Sequence, residues 1–227
     1  STCAFYNSGD AEGAFDSLME SLDENPIPTT SGRPDLTRGM ALTAVARAMY
    51  DDAYWSGLEI ALVAAQADDG IGLLSLFDEY FQMLPDGSYG NELEAFLAIS
   101  CLDDPGASSV EDVDSHIEDF IAAAPRLGGN FAYGYSCALW PVKQAAKVTI
   151  TGKGAGPIVV VATTGDPATP LNSTRKMATA LEQGVIIIVN ANQHTGYGAN
   201  NCVVKAVDDY LIKLKAPSNE LTCKSDQ

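Results

Sequence analysis

At 227 residues, 46% of them hydrophobic, the chain has the length for one large domain or two small ones and the apolar content for a packed core. Thirty acidic side chains against 13 basic ones give a formal charge of −17, which argues against nucleic acid and anionic membrane surfaces as partners. No stretch of about 18 apolar residues is present, so no membrane span is expected. There is no basic segment leading into an apolar one, as a secretory signal would need, and a first residue other than Met fits a processed or truncated chain. A negative field would favour cationic ligands such as peptides with free amino termini, although acidic surfaces more often serve solubility.

In chain order, Asp10–Glu24 reads as an amphipathic helix with Ala11, Ala14, Phe15, Leu18, Met19 and Leu22 on one face. Residues 25–34 hold three prolines and form a linker. Helix resumes near Leu36, carries Met40, Ala44, Val45, Ala48 and Met49, and breaks at Tyr50–Ala53. A third helix, Trp55–Ala67, is apolar nearly all round and ends at Asp68-Asp69-Gly70. A fourth, Ile71–Gln82, sets Leu73, Leu74, Phe77, Tyr80 and Phe81 at helical spacing, a core stripe before a ligand groove. After a turn at Pro85–Gly90, Glu92–Cys101 is a short helix. Ser108 with Glu111 predicts a capping box for a helix through Ala124, with Val110, Val113, Ile117, Phe120 and Ile121 inward and His116 on the solvated side. Residues 125–135 are irregular and aromatic.

Near Lys147 the composition changes from helix-rich and acidic to β-branched, which predicts two regions, 1–146 and 147–227. Residues 151–156 are glycine-rich but precede a strand instead of following one, so they are a loop and not a phosphate cradle. Pro157–Ala162 is an unbroken apolar run that suits a strand covered on both faces. Thr163–Pro167 is turn chemistry. Pro170–Gln183 is helical and stops at Gly184; Val185–Val189 is a second buried strand; Ala199–Leu214 is a helix with Val203, Val207, Tyr210, Leu211 and Leu214 on one face.

Asp166 and His194 therefore follow the C-terminal ends of two consecutive strands of a βαβ unit, the edge of an open sheet where chemistry collects. An Asp and then a His, in that order, are the second and third members of an α/β-hydrolase triad. The simpler readings are a turn carboxylate and a solvated loop histidine. The five cysteines, at 3, 101, 137, 202 and 223, form no C-x-x-C, and with two histidines in the chain a zinc site is not expected. Disulfides in an oxidising compartment fit better.

The string Gly165-Asp166-Pro167-Ala168-Thr169-Pro170, then His194-Thr195-Gly196-Tyr197-Gly198, Cys202, Tyr210-Leu211, Pro217 and Cys223, resembles the C-terminal domain of the tripeptidyl-aminopeptidase-like α/β-hydrolases. These are secreted or envelope serine peptidases and esterases of actinobacteria. Tyr50-Asp51 with Trp55, the segment Ala98–Asp103 and the segment Cys137–Pro141 resemble that family's cap helices, so the likeness covers most of the chain. It implies an α/β fold: the C-terminal portion of an α/β-hydrolase, its last parallel strands with flanking helices, plus a mainly helical cap over 1–146. It implies Asp166 and His194 as catalytic residues, a peptide or ester substrate, no cofactor and an extracytoplasmic location. It also implies the disulfides Cys101–Cys137 and Cys202–Cys223, each contributing roughly 3 kcal/mol by chain entropy. Cys3 is left over. Asp103 and Asp104 would lie near the junction of cap and core and could pair with a substrate ammonium; the plainer reading is surface charge at a helix end.

The family's nucleophile lies on a G-x-S-x-G elbow, and no such string occurs here. The nearest, Gly134-Tyr135-Ser136-Cys137-Ala138, lacks the last Gly and follows no predicted strand. The expectation is thus the C-terminal half of an aminopeptidase, inactive alone and in need of an N-terminal half for its Ser and oxyanion donors. The alternative is a non-catalytic binding module.

Overall fold

The computed structural model describes residues 3–103, 106, 108–132, 134–142 and 148–224. The chain divides into two compact units, one built from 1–47 with 56–147 and the other from 48–55 with 148–227.

The first unit is helical: α1 (Ala11–Glu24), α2 (Arg38–Met49, its last two residues grouped with the second unit), α3 (Trp55–Ala65, its first residue grouped with the second unit), α4 (Ile71–Tyr80), α5 (Glu92–Asp103), α6 (Val110–Ala123) and α7 (Tyr135–Ala138). The side chain of Asp10 caps α1 by accepting from the Gly13 N–H at 2.8 Å, and Leu18, Met19 and Leu22 turn inward. The proline-rich linker is pinned by an antiparallel bridge between Ile27 and Leu36. At Gly72, in α4, an added Cβ would lie 2.8 Å from the Ala61 Cβ of α3, so the approach of these two helices depends on the missing side chain. The start of α6 sits one residue later than the expected box. Ser109 is the cap, accepting from the Asp112 N–H at 3.1 Å, and Asp112 accepts from the Ser108 N–H at 2.8 Å. Of the five apolar side chains expected inward on α6, Val113 is buried, whereas Phe120 and Ile121 are exposed. The Cys101–Cys137 disulfide ties α5 to α7.

The second unit is a three-stranded parallel sheet in the order β1 (Ile158–Thr163), β2 (Gly184–Val189), β3 (Leu221–Cys223). Helix α8 (Leu171–Ala180) links β1 to β2, and α9 (Asn201–Lys213) precedes β3. Because side chains alternate along a strand, the sheet buries two separate cores. Val160, Ala162, Ile186 and Ile188 pack with Ala178 and Leu181 from α8 and the residue that follows it. Val159, Val161, Ile187 and Val189 pack with Val203 and Val207 of α9. Asn200 caps α9 through the Val203 N–H, and the Cys202–Cys223 disulfide staples β3 to the first turn of that helix.

Candidate active site

Strand β1 ends in a tight turn. Thr164 and Gly165 extend the ladder, donating to the carbonyls of Val189 and Ala191. A Cβ on Gly165 would lie 2.6 Å from the Asn192 side-chain oxygen and 3.1 Å from the Ala191 carbonyl, so glycine permits the two loops to meet. The next residue, Asp166, turns its carboxylate back onto its own loop. Oδ1 accepts from the N–H groups of Ala168 (2.9 Å) and Thr169 (2.7 Å), and Oδ2 from the Thr169 hydroxyl at 2.8 Å. This is the local closure that an Asp followed three residues later by Thr favours.

His194 sits on the loop after β2, which is held at three points. The Thr163 hydroxyl donates to the Gln193 carbonyl at 2.6 Å, the His194 N–H donates to the Tyr50 carbonyl at 2.8 Å, and Asp51 bridges Gln193. Thr195 adopts φ +72°, an uncommon conformation for a β-branched residue, and directs its N–H toward Asp166 Oδ2 at 3.4 Å. The Tyr50 ring meets the imidazole edge to face, with centroids 5.3 Å apart and planes at 80°.

The outcome is a direct pair: His194 Nδ1 lies 3.0 Å and 3.1 Å from the two carboxylate oxygens of Asp166. Burial works to raise the Asp166 pKa, but the Thr169 N–H and hydroxyl, His194 and the Ala168 N–H outweigh it and hold the carboxyl below its ordinary value. An ionised carboxylate can only accept, so Nδ1 carries a proton, and in the neutral imidazole the lone pair is on Nε2. The Asp166 side chain is 3% exposed and the His194 side chain 31%, so the carboxylate is enclosed while the imidazole reaches solvent. This can take up a proton at Nε2 and stabilise the resulting imidazolium.

The other expected residues belong to other elements. Asp103 is the last residue of α5, exposed, in the helical unit; Asp104 falls outside the described residues. Ser136 lies within the four-residue α7 and not on a strand-to-helix turn. His116 is exposed on α6 and makes contacts to Asp112 and Ser115. The disulfides pair Cys101 with Cys137 and Cys202 with Cys223; Cys3 is in neither. Among the described residues no helix is long and apolar enough to cross a membrane, and no three His, Cys, Asp or Glu side chains gather as metal ligands. Thr163, Thr169 and Tyr50 enter the site without having been singled out for a role there. The Asp-x-x-Thr spacing was a usable signal for Thr169; Tyr50 had none, because its partner is more than a hundred positions away.

Residues 124–223, which include both members of the pair, match the model of the family described as TAP-like protein. This region belongs to the TAP-like α/β-hydrolases. A carboxylesterase B of Mycobacterium tuberculosis is 32% identical over 216 residues, covering 92% of this chain and 41% of its own. The serine protease Hip1 of the same species is 29% identical over 222 residues, 92% of this chain and 42% of its own. A tripeptidyl aminopeptidase of Streptomyces lividans is 32% identical over 90 residues, 38% of this chain and 17% of its own. The chain thus spans about two fifths of the length of its two mycobacterial relatives.

Proposed function

We propose that this TAP-like region carries the acid–base arm of a serine hydrolase, an aminopeptidase that releases short peptides from free N-termini. The observation that carries the reading is the Asp166–His194 pair beyond the ends of two parallel strands. Asp166 orients His194 through Nδ1. His194 takes the proton of a serine hydroxyl at Nε2 during acylation and returns it to the leaving amine. Residues 147–227 act as the C-terminal part of the hydrolase core and 1–146 as its cap, with Asp103 and Asp104 offered to the substrate ammonium. The nucleophile and oxyanion donors come from polypeptide beyond these 227 residues, since the chain contains no G-x-S-x-G. The need for that N-terminal partner leaves the chain inactive by itself. Two disulfides favour an oxidising, extracytoplasmic setting.

A second reading, an ester substrate, is favoured by the carboxylesterase name of one extensive relative. A fluorophosphonate probe, with peptide anilides and short acyl esters, separates these readings. The 227-residue chain alone should not be labelled, and adding a polypeptide with the strand and G-x-S-x-G elbow should restore labelling that His194→Ala abolishes. Stoichiometric labelling of the chain alone, or restored labelling indifferent to His194→Ala, would overturn the proposal.

A further inference from the structure

Resting on that reading of Asp166 and His194, a third residue belongs to the same machinery. A carboxylate bonded to Nδ1 fixes one atom of an imidazole; it leaves the ring plane free to tilt, and an exposed side chain can swing into solvent. His194 is exposed enough to do so. What opposes the swing is Tyr50, outside the family match at 124–223. Its ring packs at 80° to the imidazole, and its carbonyl binds the backbone N–H of the same residue at 2.8 Å. The platform beneath is firm. Ala48 is fully buried, Asp51 bridges Gln193, and the Asp51 side chain closes the next turn by accepting from the Ala53 N–H at 2.9 Å. The segment Ala48–Trp55 groups with the α/β unit although the chain on either side of it is helical-unit sequence.

We propose that Tyr50 is a positioning residue for His194: its ring holds the imidazole in the plane that keeps Nδ1 on Asp166 and the lone pair on Nε2. The contact that carries this role is the ring's, so phenylalanine should replace tyrosine.

The chain has two histidines, which makes the test direct. With 15N-histidine label, nitrogen shifts near pH 8 report the tautomer of His194, and His116 on α6 serves as an internal control. The native chain and Tyr50→Phe should both show His194 protonated at Nδ1. Tyr50→Ala should raise the opposite tautomer about two- to tenfold, the size expected of one aromatic pair, with His116 unchanged. Tyr50→Leu keeps side-chain bulk without the ring and serves if the alanine variant does not fold. A merely structural role would lower the melting temperature and leave the tautomer alone. A folded Ala or Leu variant with the native tautomer ratio overturns the inference, as does a Phe variant disturbed as much as Ala. Asp166→Asn separates the two levels. If it shifts the tautomer while loss of the Tyr50 ring does not, only the role of Tyr50 falls; if it too leaves His194 unchanged, the acid–base pair itself falls.

Discussion

Replacing Thr169 by valine removes one hydroxyl and little volume, so it isolates the bond that steadies the carboxylate of the pair. The hydroxyl donates to Asp166 Oδ2 at 2.8 Å, where the acceptor is ionised and its side chain 3% exposed. Hydrogen bonds to charged groups contribute about 1.5–3 kcal/mol net. Oδ2 keeps His194 Nδ1 at 3.1 Å and the Thr195 N–H at 3.4 Å, and the Thr169 N–H still serves Oδ1, so the lower part of that range applies: about 1.5–2 kcal/mol near pH 7. Urea unfolding measures it. Trp55 belongs to the α/β unit and Trp140 to the helical one, so Trp55 fluorescence in a Trp140→Phe background follows the unit that carries the site. The pH dependence supplies a sharper check. The folded pKa of Asp166 lies below its unfolded value, so the stability it contributes is complete above the unfolded pKa and is lost as pH falls through the folded one. The gap between native and variant should therefore narrow as the pH drops below about 4, and Thr169→Ser should restore most of it at neutrality. A gap below about 0.5 kcal/mol at pH 7, less than half of any net hydrogen bond to a charged group, would refute the reasoning. So would an equal gap at pH 7 and pH 3, or a serine variant no better than valine.

Asp166→Asn should flatten the acid limb of the stability curve, since asparagine has no proton to take up; titrating unfolding midpoints between pH 7 and pH 3 reads this against the native chain. Gly196→Ala would bring a Cβ to 2.6 Å from Val161 and 3.2 Å from Val189, so overpacking of about 1–3 kcal/mol is expected, seen as a lower urea midpoint at unchanged slope. Replacing Cys202 and Cys223 together by alanine should cost about 3 kcal/mol and should make the stability of the α/β unit insensitive to dithiothreitol, apart from the effect of the other bridge.

The strands of the α/β unit were legible because residues 158–161 and 185–189 are β-branched or apolar without interruption, which a sheet covered on both faces demands. The meeting of Asp166 with His194 followed from that topology, since parallel neighbours in register carry their C-terminal loops to the same edge. Strand β3 left no comparable trace. Three residues are too few for a period, and their pairing with β2 is a long-range event. The start of α6 slipped by one residue because Ser108 and Ser109 each precede an acidic residue at the right spacing, and local chemistry does not choose between them. Phe120 and Ile121 lie on the helical stripe yet remain exposed; periodicity says which side chains share a face, not whether anything covers it. The place of Tyr50 was illegible for the same reason as β3: its carbonyl and ring answer to a loop in a distant part of the chain.

Strand β3 has a bearing on how the molecule is made. The carbonyl of Cys223 receives the N–H of Asn190, the residue from which the His194 loop departs. During synthesis the loop's attachments to Tyr50, Asp51 and Thr163 involve residues that emerge before it, whereas this attachment waits for residue 223, which the Cys202–Cys223 bridge then ties to α9. One of the contacts that fix the imidazole's surroundings is thereby made later than the others, when β3 arrives, and an oxidant then locks β3 to α9.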